Sequence, residues 1–299
     1  MLSFLPPALR GVISTFLLVL NTLIMSLPLF AFALLKLLIP VPAIRRFMGR
    51  MANAVAELWI SANSAWMKLT LDINLKVEGL EGLDRNGYYL VTANHQTWAD
   101  IMIMQHLLNR RIPFMKFFLK QQLIWVPVIG LCWWALDFPF MKRYTRAYLE
   151  KHPEKRGKDL ETTRKACEKF RETPVSIVNY LEGTRYTRAK HEKQQSPYNN
   201  LLKPRAGGIS YVLGALGDQV KTLLNITIHY EDKTIGYWDF LCGRIKNVSV
   251  RIETQPIPQS LATGDYQNDR QFRDQFQQWV NELWEEKDRY LTGLQQGQS

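Results

Sequence analysis

The sequence predicts an α/β fold, a mostly parallel or mixed sheet covered by helices, with a hydrophobic membrane anchor ahead of it. Three observations lead there. No charged residue stands between Arg10 and Lys36, and a bilayer crossing needs about 20 such apolar residues. Beyond that block, β-prone runs at Ile73 to Val77, Tyr88 to Ala93, Val175 to Leu181, Leu223 to Tyr230 and Val248 to Ile252 alternate with helical patterns, the rhythm of a helix-covered sheet. The chain of 299 residues is 46% hydrophobic, enough for a large core.

The anchor comes first, over residues 1–50. Pro28 interrupts it and removes one helical hydrogen bond, so one kinked span and a two-helix motif in a single leaflet both satisfy the pattern. The block exceeds the roughly 7 to 15 apolar residues of a signal-peptide core, which argues against cleavage. Arg45, Arg46 and Arg50 follow it directly and by the positive-inside tendency keep the remainder cytoplasmic. A net charge of +11 calls for an anionic partner. With an anchor present, that partner is the membrane surface or a phosphate-bearing substrate, and no nucleic acid. Cys132, Cys167 and Cys242 are scattered without ligand spacing, so neither a disulfide framework nor a metal site is expected.

Residues 51–294 form the expected main domain. Met51 to Leu71 reads as a helix, and turn residues Gly79, Gly82, Asn86 and Gly87 separate the first two strands. A helix runs from Trp98 to about Leu108, with Thr97 as its N-cap, and a strand follows at Ile112 to Phe118. Leu123 to Met141 carries one charge and is broken by Pro127, Gly130 and Pro139. Two readings fit this stretch: a buried strand pair, or a greasy wall that receives an apolar chain. Pro153 to Gly157 is a surface loop and Asp159 to Arg171 a helix. Lys190 to Asn200 reads as a polar flap, Lys203 to Gly208 as a rigid basic turn that holds the preceding loop or touches an anion, and Ile209 to Gly217 as a small-residue helix. Phe272, Phe276, Trp279, Val280, Leu283, Trp284 and Tyr290 lie on one helical stripe that closes the domain. Residues 295–299 are expected to be a disordered tail.

The chemistry centres on Asn94 to Asp100. His95 falls where a buried strand meets a helix, a place where reactive side chains are displayed. Asp100, five residues on, is near enough for the helix to swing its carboxylate back to the ring. A carboxylate on one ring nitrogen fixes the tautomer and leaves the other as a base. Glu182, Gly183, Thr184 and Arg185 end a second strand. Glycine, hydroxyl and guanidinium together suit a phosphate. Lys120 precedes the greasy stretch and Lys142 with Arg143 follows it, an arrangement suited to an anionic head carrying a lipid tail.

In this order and spacing, four blocks resemble those of the glycerophospholipid acyltransferase family: Asn94 to Asp100, Phe138 to Arg143, Leu181 to Arg185 and Lys203 to Gly208. The resemblance covers Val77 to Ile252, and the lysine, apolar pair, proline and glycine of Lys120 to Gly130 belong to it. Thr97 stands where serine is commoner, and Leu181 where proline is. The resemblance implies a glycerol-3-phosphate acyltransferase-like fold and transfer of an acyl group from acyl-CoA or acyl carrier protein to the free sn-2 hydroxyl of lysophosphatidic acid, with another lysophospholipid (lysophosphatidylglycerol or lysocardiolipin) as the alternative acceptor; a non-catalytic membrane-surface protein is the reading from a different class. His95 and Asp100 would be catalytic, and Lys120, Arg143, Glu182, Gly183, Thr184 and Arg185 would bind the acceptor's phosphate. No cofactor is implied beyond the thioester co-substrate, and the expected location is a bacterial inner membrane with the catalytic part facing the cytoplasm.

Overall fold

The computed structural model describes residues 2–141, 151–152, 167–168, 170–171, 173–232, 236–262, 264–266 and 268–297. Lys142, Arg143, the 153–157 loop and most of the helix expected from Asp159 lie outside these.

Two long helices open the chain. α1 (Pro7–Leu38) runs unbroken through Pro28, and α2 (Pro42–Thr70) folds back against it after a three-residue turn. Each begins with a proline in its first turn, where the missing N–H costs nothing. α2 passes through residue 50, so the expected boundary between anchor and domain falls inside a helix.

A mixed sheet follows, built from β1 (Asn74–Glu78), β2 (Tyr89–Ala93), β3 (Met115–Phe117), β6 (Ser176–Tyr180), β7 (Thr222–Tyr230) and β8 (Asn247–Pro256). Its spatial order is β1-β8-β7-β2-β6-β3. Among the described residues only β7 and β8 of this sheet pair antiparallel; the other neighbours are parallel. β2 is central and buried throughout, with Val91 opposite Val178 on one side and Leu224 on the other. A strand covered on both faces has no polar side to show, hence its continuous apolar run.

Successive strand residues point to opposite faces, and the packing follows suit. Val91, Val178 and Leu224 join Leu29, Trp66 and Ile103 under α1, α2 and α3 (Ala99–Leu108). Leu90, Ile177 and Leu223 pack instead on α6 (Gly207–Leu216) and α8 (Arg270–Gln296) through Leu213, Phe276 and Trp284.

The stretch from Leu123 to Met141 is neither of the strands of a buried pair. It holds the end of a 3-10 turn at Gln121–Trp125, α4 (Ile129–Ala135) and β5 (Phe140–Met141), and β5 pairs in parallel with β4 (Leu119–Lys120) just ahead of the stretch. A side chain at Gly130 would come within 2.1 Å of the Ile124 carbonyl, so only glycine lets α4 pack on the turn before it. Trp125 stands 84% exposed. The flap expected at Lys190 to Asn200 begins instead as α5 (Arg188–Gln194), capped by Thr187 accepting from the Lys190 N–H. α7 (Tyr237–Leu241) packs on α1. α8 carries its amphipathic stripe through Gln296, so residues 295 and 296, expected in a disordered tail, are helical.

Candidate active site

After Ala93, the Asn94 side chain takes over the sheet's hydrogen bonding. Its Nδ2 donates to the Ile228 carbonyl at 2.9 Å and its Oδ1 accepts the Ile228 N–H at 2.9 Å. The main chain is thereby released, and His95 leaves the C-terminal edge of β2, the edge where open α/β sheets bind ligands.

Asp100 lies in the first turn of α3 and is 0% exposed. Its Oδ2 accepts from His95 Nδ1 at 2.8 Å, from the Gln96 N–H at 2.7 Å and from the Thr97 N–H at 3.0 Å. Its Oδ1 accepts from the Tyr230 hydroxyl at 2.5 Å. Thr97, expected to cap α3, makes no side-chain cap. The Asp100 carboxylate instead reaches back to the N–H groups of Gln96 and Thr97, ahead of the helix. A carboxylate so placed requires the proton on Nδ1, which leaves the Nε2 lone pair for chemistry. Tyr180 supports the ring from one face, stacked at 4.0 Å between centroids and 18° between planes.

The backbone of His95 is clamped as well. Its N–H donates to Glu182 Oε1 at 3.0 Å, and its carbonyl accepts the Tyr186 N–H at 2.7 Å. Glu182 Oε2 accepts the Leu202 N–H at 3.2 Å. Glu182 was expected among phosphate ligands, and the structure corrects this. The carboxyl is buried, engaged with two N–H groups, and pushed up to about 7 by that burial against the pull of those bonds. It straps β6 to the His95 turn and to the basic turn beyond, where the Arg205 N–H donates to the Leu181 carbonyl at 2.9 Å.

Gly183 adopts φ of +66°, a conformation glycine takes without strain, and so turns the chain back beside His95. Thr184 Oγ1 accepts from Lys190 Nζ at 2.8 Å, and the same amine donates to the Arg185 carbonyl at 2.8 Å. Lys190 therefore belongs to this loop, although nothing in its polar surroundings marks it in the sequence. Arg185 is exposed, with its guanidinium 5.4 Å from the Trp98 ring centroid.

Lys120 is exposed at the end of β4 and has no partner among the described residues. β3, which precedes it, pairs in parallel with β6, so Lys120 emerges at the same sheet edge as His95. Its strand partner is Met141, two residues before Arg143, which lies outside the described residues. The rings of Tyr180, Phe117 and Phe138 continue from the imidazole at centroid spacings of 6.2 and 6.4 Å, joining the histidine to the Phe-rich block.

Two adjacent residues of α8 brace this arrangement from beneath. Lys287 Nζ donates to the Ile226 carbonyl at 2.5 Å and to Thr227 Oγ1 at 3.0 Å, and full burial lowers the amine to about 7. Asp288 accepts the N–H groups of Asn199 and Asn200 at 2.8 and 2.7 Å. Among the described residues no group of three His, Cys, Asp or Glu is placed to hold a metal ion.

Fold and site together define a helix-covered mixed sheet presenting an Asp-oriented histidine. Residues 74–226, more than half of the chain, match the family model described as Acyltransferase, and the chain belongs to that family. An uncharacterized acyltransferase of Schizosaccharomyces pombe is 24% identical over 280 residues, covering 84% of this chain and 73% of that protein. Human 1-acyl-sn-glycerol-3-phosphate acyltransferase gamma is 24% identical over 58% of this chain, and the human delta protein 23% over 67%. The matched stretches span 44% and 51% of those two proteins, about half their length. The crystal structure of the 1-acyl-sn-glycerophosphate (LPA) acyltransferase PlsC from Thermotoga maritima superposes with a TM-score of 0.52 and 17% identity, covering 93% of this chain and 97% of that one. The fold is shared with that enzyme, as the sequence leads one to expect.

Proposed function

We propose that the chain transfers a fatty acyl group from acyl-CoA or acyl carrier protein to the free sn-2 hydroxyl of lysophosphatidic acid, giving phosphatidic acid. The observation that carries this reading is the Asp100 carboxylate, saturated by four donors of which His95 Nδ1 is one. An alcohol attacks a thioester only as its proton departs, so a base must sit beside it. Nε2 of His95 takes that proton, and Asp100 stabilises the imidazolium. The hydroxyl oxygen bonds to the thioester carbon, the tetrahedral intermediate collapses, and the thiolate leaves with the proton returned by His95. Arg185 and Lys120, with Arg143, hold the acceptor's phosphate so that its hydroxyl meets the ring. Lys190 keeps the Thr184–Arg185 turn in shape.

The geometry of α1 supports membrane association from one side. Near its start, Arg10 Nε donates to the Cys242 carbonyl at 2.8 Å; near its end, Lys36 pairs with Asp137. A helix of 32 residues is about 48 Å long, so a perpendicular crossing would carry one end away from a domain on the other side of a roughly 30 Å core. Both ends stay on the domain. Of the two geometries open to the anchor, the hairpin immersed in one leaflet is therefore the one we assign. Phe16, Leu27 and Leu38, at 63, 70 and 68% exposed, are its lipid face. The basic excess and the three free, buried cysteines suit the cytoplasmic surface of a bacterial inner membrane.

The deciding assay follows a labelled acyl thioester by thin-layer chromatography with lysophosphatidic acid, lysophosphatidylglycerol and lysocardiolipin as acceptors. Phosphatidic acid is the expected main product, and His95→Ala should lower its formation 10²- to 10⁴-fold. Free fatty acid made without acceptor would identify a hydrolase, and undiminished transfer by the variant would remove His95 as the base.

A further inference from the structure

A cavity of about 680 Å³ lies between the end of α1, the start of α2 and the segment joining α4 to β5, with Phe138, the last ring of the stack from His95, in its wall and His95 itself outside its lining. Five cations line it, namely Lys36, Arg45, Arg46, Arg50 and Lys116, against the acids Asp137 and Glu168. Lys36 is paired with Asp137, and Lys116 is buried with its amine on the Leu136 carbonyl. Arg45 and Arg50 are exposed and have no partner among the described residues.

The placement of the arginines is costly for the helix that carries them. α2 has no acidic residue in its first turn and no side-chain cap. The start of a helix already bears about half a positive charge, and a cation there is disfavoured by some tenths of a kcal/mol. Arg45 and Arg46 follow directly on that turn and Arg50 lies one turn further on, so like charges crowd one another there. An anion in the cavity would offset the repulsion among the arginines that line it.

The mouth of the cavity says where such an anion comes from. Trp134 and Leu37 line it at 46 and 56% exposed, and Leu34, Leu38 and Phe47 stand exposed on the same ends of the two helices. A soluble phosphate ligand has no use for a greasy rim. A phospholipid does, since its chains continue where its headgroup ends, and a tryptophan suits the boundary between the two.

We propose that this cavity is a headgroup site for an anionic membrane phospholipid that is not the reacting acceptor, seating the helical hairpin at a defined depth. The proposal rests on the one-leaflet reading of the hairpin and adds to it a specific occupant.

The test uses the full-length chain and vesicles of phosphatidylcholine with or without phosphatidylglycerol, with partition measured by co-sedimentation. Arg45→Gln with Arg50→Gln should reduce the preference for phosphatidylglycerol vesicles roughly 30-fold, at about 1 kcal/mol for each arginine near an anionic surface. Arg270→Gln with Arg289→Gln on α8, across the sheet, removes the same charge and should leave the preference unchanged. Gly49→Phe separates a built site from diffuse attraction. Gly49 lines the cavity and nothing lies within 4 Å of the Cβ position there, so the ring fills the cavity at constant charge. The preference should fall with it as well. If Gly49→Phe leaves the preference intact, or if the α8 pair lowers it equally, the cavity is not a lipid headgroup site. A Gly49→Phe protein that keeps its lipid preference but needs more thioester donor would give the cavity to the donor's phosphates instead. Partition onto pure phosphatidylcholine vesicles reports on the hairpin separately, so a chain that binds none of them fails the membrane reading itself.

Discussion

The His95 turn and the helical hairpin are stabilised in contrasting ways. Around Asp100, both carboxylate oxygens, the backbone of His95 and one face of its ring are all engaged by protein groups. Along α1, one face packs on the protein from Arg10 through Leu29 to Lys36, while Phe16 and Leu27 on the opposite face point outward. The first region is complete by itself; the second is complete only in an apolar medium. It follows that changes in the turn should alter rate without altering membrane partition, and changes in the hairpin the reverse.

The largest effect should come from Asp100→Asn. Its amide nitrogen would face N–H donors and favour the wrong imidazole tautomer, lowering kcat roughly 10³- to 10⁴-fold with vesicle partition unchanged. Steady-state kinetics on a short-chain, monomeric acceptor would show it. Next is Phe16→Asp with Leu27→Asp. Each loses about 2 kcal/mol of apolar burial, so partition should fall by about 10³-fold, while kcat on the short-chain acceptor stays the same. A parallel loss of kcat would mean that the two regions are coupled.

Third is the pH dependence of Glu182→Gln. The folded carboxyl titrates near 7 against an ordinary 4.5, so folding favours its protonated form. That contribution is fully present below pH 4.5 and is lost as pH rises through about 7. Wild type should therefore lose stability relative to the Gln variant across this window, on the order of 3 kcal/mol in urea titrations. A constant difference would mean that Glu182 does not titrate there. The smallest effect should be that of Tyr230→Phe, which removes one of the four donors to Asp100 and should lower kcat about tenfold.

Local features were readable from the sequence, and groups meeting from a distance were not. His95 and Asp100 are five residues apart across one turn, so strand and helix patterns suffice to bring them together. Tyr230 reaches Asp100 from 130 residues away, and no pattern near either announces it. Glu182 was misassigned because its type and neighbours suit a solvated turn, whereas its role depends on burial that only the fold creates. α5 left a fainter trace, a Thr187 cap followed by the i,i+4 pair Arg188 and Glu192, in a stretch too short and polar to show periodicity. The antiparallel β7–β8 pairing was equally hidden, since both strands carry apolar runs that suit either direction. Nor could the sequence choose between span and hairpin, because the tethers at Arg10 and Lys36 depend on Cys242 and Asp137, both brought near only by the fold.

The amide of Asn94, bonding to Ile228 as a surrogate rung of the ladder, makes the distance from sheet to imidazole a matter of counting. One residue inserted or deleted between Thr92 and His95 would turn the ring toward the opposite face, away from its acid and into the packing beneath. This junction should accordingly tolerate changes of side chain far better than changes of length.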